Sequence, residues 1–363
     1  MHVLAYLVYG NAGKFHPELT YSVLSFQSWL QKEPADIRLV LVCDEANRRP
    51  DLPVEEVVVA PDVLTGWQLG GSYNHAAKQN ALRHILQVYD CPCLIIDCDT
   101  WATAHPRKLF ERLGPGRAMA HVAEGALSGL QGELPKYREL IRKTGGMVNG
   151  YPISEATVMY NSGVFGVHPN DMGVLDRTLS VTRAIWETVP VFTAEQLAFS
   201  IVAGAETKLQ TCEDLVTHYW GGPRGYYRYQ IDRLFPRQSS PRQPGSIPDV
   251  LPTLQDMPPY GRLMALRARF FRLRRGNDGT YAHAWLCSQN ALNERDDLPL
   301  ANVWAESALA TLRYGALQPQ PRFAADFAAF APGRIDRLGW LHPDLRESWA
   351  TLWKTRETAT ANR

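Results

Sequence analysis

The chain lacks any uninterrupted apolar run of about twenty residues, the length a helix needs to cross a bilayer. It also lacks a strong net charge. Its 38 Lys and Arg against 37 Asp and Glu leave +1, so nothing in the total draws it to nucleic acid or to an acidic partner. Cysteine is sparse and scattered, at Cys43, Cys91, Cys93, Cys98, Cys212 and Cys287. No paired CxxC knuckles are present, which disfavours a zinc site built from Cys91, Cys93, Cys98 and His105. The six read as buried free thiols of a reducing compartment. The opening "MHVLAYLVYG" has neither a basic leader nor a small-residue cleavage site, and reads as a first strand of a cytoplasmic protein. There is no internal repeat.

What is present is an ordinary globular composition, 45% hydrophobic and 21% charged over 363 residues. That length suits one large or two ordinary domains. Val3–Tyr9, Ile37–Cys43, Glu56–Ala60 and Cys93–Ile96 are short apolar runs of the kind buried on both faces of a sheet. His16–Leu30 places Leu19, Val23, Phe26 and Leu30 at helical spacing, and Ser72–Val88 does the same with Ala77, Ala81, Ile85 and Val88. This βαβ rhythm predicts an α/β fold with a doubly wound, mainly parallel sheet. Gly125–Gly150 reads as a loop-rich insertion, and Thr157–Val167 as strand, tight turn, strand. Asp171–Trp186 and Thr193–Val202 read as helices, and Leu215–Tyr219 as a last strand. The expected organisation is an α/β domain over 1–234, a proline-, serine- and glutamine-rich connector over 235–259, and a helical region over 260–363.

Chemistry in such sheets gathers at the carboxyl ends of strands, near a point where strand order reverses. "LIIDCDT" (Leu94–Thr100) ends an apolar strand in Asp97 and Asp99. Side chains two apart in an extended chain point the same way, so the two carboxylates can converge. Left alone they repel and one takes up a proton. A hard divalent cation, Mn²⁺ or Mg²⁺, removes the conflict and keeps positions open for phosphate oxygens. Haloacid-dehalogenase-type phosphatases also end an apolar strand in D-x-D, but with Thr or Val two residues after the second Asp. Trp101 stands there instead, and this strand follows several βα units rather than opening the domain.

Three further segments follow in order: "YNSGVFGV" (Tyr160–Val167), "FTAEQLAFS" (Phe192–Ser200) and "HYWGGPR" (His218–Arg224). Together with "LIIDCD" they resemble the GT-A glycosyltransferases, nucleotide-sugar enzymes. The likeness is greatest to the retaining group of lipopolysaccharide galactosyltransferases and glycogenin, and spans roughly Met1–Gly225. The resemblance implies a GT-A, Rossmann-like domain that transfers a hexose from a UDP-sugar or other nucleotide-sugar donor to a glycan or lipid-linked acceptor. It implies that Asp97, Asp99 and His218 hold the metal and that Asp97 also lies near the donor ribose. Arg224 stands where the family has a lysine on the diphosphate, keeping the cation and adding a bidentate fork. Asn161, Ser162 and Gly163 would line the sugar pocket, Glu195 and Gln196 would face the transferring sugar or the acceptor, and Lys78 would reach the phosphates or brace the aspartates. Tyr9, Gly10 and Asn11, where the family commonly has an acid, and Asp44 in "VCDE" become nucleotide contacts.

Read without the family, the same residues have plainer roles. Asn161–Gly163 makes a good turn, and Glu195 is an acid opening a helix after Thr193 as N-cap. Lys78 is a helical surface lysine, and His218 a histidine at a strand end. An inverting enzyme would need a carboxylate base, for which Glu195 is the candidate. A catalytically silent module that binds nucleotide sugar or glycan is the alternative to an enzyme. Finally, Gly261–Arg275 sets Leu263, Leu266, Phe270 and Leu273 along one side of a helix with arginines around them. Such a helix either packs its apolar side on the protein or rests on an anionic membrane surface. Trp340, Trp349 and Trp353 are expected to pack the helical region onto itself.

Overall fold

The computed structural model describes residues 1–130, 133–220, 224–235, 251–256, 266, 267, 269–271, 273, 279–314 and 322–361. These fall into two compact units: Met1–His218 with the described part of Phe235–Pro252, and Tyr219–Leu234 with the described part of Thr253–Arg363.

In the first unit β1 (His2–Val8) and α1 (His16–Lys32) lead to β2 (Ile37–Cys43), β3 (Glu55–Val58), α2 (Pro61–Trp67) and α3 (Ala76–Tyr89). Next come β4 (Cys93–Ile96), β5 (Thr100–Ala102), α4 (Arg107–Arg112), β6 (Arg117–Ala120), β7 (Ala123–Ala126) and α5 (Leu134–Thr144). The unit continues through β8 (Met147–Val148), β9 (Tyr151–Pro152), β10 (Val158–Tyr160) and β11 (Val164–Val167). Helices α6 (Met172–Thr188) and α7 (Ala194–Glu206) precede β12 (Lys208–Gln210) and β13 (Val216–His218).

Seven strands form one sheet in the order β12-β6-β11-β4-β1-β2-β3. Pairs β1/β2, β2/β3, β1/β4 and β12/β6 are parallel, while β11 runs antiparallel to both β4 and β6. The chain builds outward from β1 to β3 and then returns across β1 to lay down β4. The strand order therefore reverses between β1 and β4, and their carboxyl ends carry Tyr9–Asn11 and Asp97.

Alternation along the strands divides the core. Val3, Ala5, Val40, Val42 and Ile95 face α3, α6 and α7, whereas Leu4, Tyr6, Leu39, Leu41, Leu94 and Ile96 face Leu19, Val23 and Phe26 of α1. Both faces being covered explains why β2 reads as an almost unbroken apolar run.

One expectation is corrected and another is refined. The stretch read as loop-rich over 125–150 contains α5, whose Leu134, Tyr137 and Leu140 are buried at three-residue spacing. Pro135 opens that helix and Gly145, left-handed at φ 61°, closes it. The strand, turn and strand expected over 157–167 are present, but the two strands do not pair with each other. β10 pairs with β7 in a separate two-stranded sheet, whereas β11 enters the main sheet. Asn161–Gly163 is the crossing between the two sheets.

In the second unit α8 (Arg224–Leu234) precedes α9 (Gly279–Asn293), α10 (Leu298–Tyr314), α11 (Phe323–Asp326) and α12 (Pro343–Ala361), and residues of α9 to α12 build an aromatic core. Trp349 is fully buried and stacks on Phe330 with ring centroids 4.4 Å apart. Trp353 joins that core and Trp340 packs at its edge. Residues 261–265, 268, 272, 274 and 275 of the expected Arg-rich helix lie outside the described residues. Of those described, Phe271 stacks on Trp285 at 4.4 Å, while Leu266, Phe270 and Leu273 are exposed.

Candidate active site at the carboxyl end of strand β4

Asp97 follows the last residue of β4, and its N–H donates to the Gly163 carbonyl at 2.8 Å, prolonging the β4–β11 ladder by one bond. The chain then turns. Thr100 Oγ1 donates to the Asp97 carbonyl at 2.7 Å, so Asp97 and Asp99 meet across a turn rather than by alternation along an extended strand. The turn delivers the chain into β5, which pairs antiparallel with β13 in the register Thr100↔His218. That ladder carries His218 to the aspartates from far along the chain.

The result is a tight donor set. Carboxylate oxygens of Asp97 and Asp99 and a ring nitrogen of His218 all lie within 4.8 Å of one another. Nε2 of His218 is 3.3 Å from Asp99 Oδ1 and 4.0 Å from Asp97 Oδ2. Asp99 and His218 have side chains only 9% and 6% exposed, whereas that of Asp97 is 31% exposed and marks the open side. Lys78, on α3, places Nζ 2.6 Å from Asp97 Oδ1 and donates to the Ser162 carbonyl at 2.7 Å. It is a buttress to Asp97 rather than a surface lysine. One ammonium against two carboxylates leaves a negative charge beside an imidazole nitrogen, a set that a divalent cation fits.

A second layer fixes the first. Asn161 Oδ1 accepts from the Gly163 N–H at 2.8 Å and lies 2.9 Å from His218 Nδ1. Its Nδ2 donates to Glu124 Oε1 at 2.8 Å, and Gln196 Nε2 donates to Glu124 Oε2 at 2.8 Å. His121, whose ring meets that of His218 edge-on at 5.3 Å, lies 3.0 Å through Nε2 from the Val216 carbonyl. Burial lowers its pKa, so it stands beside the site as a neutral ring.

Glu195 is buried at the start of α7 and both its oxygens are engaged. Tyr73 O–H donates to Oε2, and Ser162 Oγ lies 3.3 Å from Oε1. Burial first, and then the Glu195 carboxylate, push the Tyr73 phenol far up, which keeps it a donor. Gln79 donates to the Glu195 carbonyl at 2.9 Å and accepts from Thr182 at 2.8 Å, tying α3, α6 and α7 together. Thr193 does not cap α7 with its side chain; its hydroxyl pairs with Tyr137 at 2.8 Å.

Lys78, Asp97, Asp99, Asn161, Ser162, Gly163, Glu195, Gln196 and His218 thus form one connected network. Tyr9, Gly10 and Asp44 lie on the loops after β1 and β2. Asp44 accepts from the Gly10 N–H at 2.6 Å and from Asn47, joining those loops, and Tyr9 donates to the Asn74 carbonyl at 3.0 Å. Asn11 is exposed nearby. Arg224 opens α8 in the second unit. Sequence reading missed Glu124, Tyr73, Gln79 and His121. Glu124 lies just before the stretch read as loop-rich, where no periodic signal marks it, and the β7–β10 pairing brings it to Asn161.

No protein-family model and no curated protein matches this chain. Similar solved structures include mouse xyloside xylosyltransferase 1 in its apo form, at 14% identity and TM-score 0.40, covering 58% of this chain and 85% of that one. The galactosyltransferase LgtC in complex with donor and acceptor sugar analogues is similar at 14% identity and TM-score 0.41, covering 64% of this chain and 93% of that one. An active-site mutant of LgtC is similar at 14% identity and TM-score 0.38, covering 58% of this chain and 72% of that one. At this distance the likeness carries no residue across, and the site stands on the side chains described above.

Proposed function

We propose that the chain is a divalent-metal-dependent glycosyltransferase, moving a sugar from a nucleotide-diphosphate donor to an acceptor hydroxyl on a glycan or lipid-linked glycan. The observation that carries this reading is the convergence of Asp97, Asp99 and His218 Nε2 at the carboxyl end of β4, at the switch point where a doubly wound sheet binds its ligand. The ordered motifs of the sequence agree with it. Asp97, Asp99 and His218 would hold the ion, and an imidazole in the set favours Mn²⁺ over Mg²⁺. When bound, the ion supplies Lewis-acid stabilisation of the departing diphosphate.

The chain's own groups have distinct tasks. Lys78 holds Asp97 in place through its ion pair. The loops joined by Asp44 and Gly10 would flank the donor's nucleotide end, with UDP the favoured nucleotide. Glu195, with both oxygens already hydrogen-bonded, is not the unoccupied base an inverting reaction requires, which supports retention. Gln196 and Ser162 would face the transferring sugar.

The test is UDP binding followed by thermal stability with and without Mn²⁺. Saturation at a hundredfold over Kd should add about 2.7 kcal/mol, only when Mn²⁺ is present, and Asp99→Ala should abolish the gain. No metal-dependent binding of UDP or GDP would overturn the proposal. Binding without slow donor hydrolysis would make the chain a recognition module instead of an enzyme.

A further inference from the structure

Asn161 is 5% exposed, and each end of its amide is spoken for. The Gly163 N–H is a backbone donor, so the atom it meets at 2.8 Å must be the amide oxygen. The opposite end then faces Glu124 Oε1 at 2.8 Å with its NH₂, as a carboxylate acceptor requires. With Oδ1 so placed, His218 Nδ1, 2.9 Å away, must carry a hydrogen. The lone pair of a neutral His218 is therefore on Nε2, the nitrogen that faces Asp99 and Asp97.

We infer that Glu124 and Asn161 form a relay that sets the tautomer of His218 and so prepares Nε2 as a metal ligand. The inference rests on the metal-site reading above. It makes Asn161 and Glu124 positioning residues, not catalytic ones. One carboxylate serves two amides, since Glu124 Oε2 also accepts from Gln196 at 2.8 Å. The orientation of the metal ligand and that of Gln196 thus share one anchor, and the anchor works because it accepts on both sides. Outer partners of this kind typically change metal affinity 10- to 100-fold when altered.

The relay makes a prediction of sign that charge alone reverses. Glu124→Gln leaves one acceptor between two NH₂ groups and should weaken Mn²⁺ binding about tenfold. Asn161→Asp opposes two carboxylates and should unseat His218. The double variant exchanges donor and acceptor: the new amide at 124 donates to the new carboxylate at 161 and still accepts from Gln196. Adding Glu124→Gln to Asn161→Asp should therefore raise Mn²⁺ affinity several-fold, although it removes a negative charge from the cation's surroundings. Mn²⁺ titration at one mildly alkaline pH reads this directly, with circular dichroism to verify folding. A fall or no change on adding the second substitution overturns the relay. The ¹⁵N signals of His218 without metal give a separate reading: hydrogen on Nδ1 in the unsubstituted chain, and a tautomer mixture in Asn161→Ala. Hydrogen on Nε2 with Nδ1 bare in the unsubstituted chain also overturns the relay. Should the unsubstituted chain fail to bind Mn²⁺ at millimolar concentration, the proposed function falls, and the ¹⁵N signals alone decide the relay.

Discussion

Gly163 shows how narrowly the site is built. A Cβ there would stand 2.1 Å from His218 Nδ1, closer than any real contact. Glycine at this position is thus a matter of close approach and not of turn conformation. Gly163→Ala is expected to push the imidazole off Asn161, lowering Mn²⁺ affinity by at least roughly tenfold with little loss of melting temperature. Unchanged affinity, read by Mn²⁺ titration, would show that the ring can give way. At this scale the acidic pair and His218 were legible because metal chemistry restricts residue types. Lys78 was visible as a choice between surface and buttress, and the 2.6 Å contact to Asp97 decides it. Glu124 was not legible, because its role depends on two amides that reach it only through folding.

Among the elements, those with strong period were readable: the two-faced strands of the main sheet, and α1 and α3 with their apolar stripes. Helix α5 was not, since glycines and charges around it mask a short stripe of three buried residues. Leu140 is fully buried against the first core, so Leu140→Ala should cost 2–5 kcal/mol in a denaturant titration of unfolding. A cost under about 0.5 kcal/mol, the level of a surface change, would mean that α5 is not part of the core. The β5–β13 ladder was equally hidden. Three residues on each side are too short to announce a pairing, and a register slip of one would turn His218 away from the aspartates.

For the whole molecule, near-zero net charge hides a local excess of arginine in the second unit. Leu266, Phe270 and Leu273 are 51%, 57% and 76% exposed and fall on one side of a helix by their spacing, with Arg267 and Arg269 beside them. We propose, as part of the same function, that this ridge rests on an anionic membrane surface. Co-sedimentation with vesicles containing anionic lipid should be salt-sensitive, and Leu273→Ser should weaken it by roughly tenfold, the loss of one large buried apolar side chain. Equal recovery on neutral vesicles, or none on either, would refute it. The first unit carries a different consequence, through the ladder that pairs Thr100 with His218. An ion gripped by Asp99 and His218 would act as a removable clasp on a long loop of chain holding β6 through β12, so cofactor loading and the cohesion of three of the sheet's seven strands would be one equilibrium.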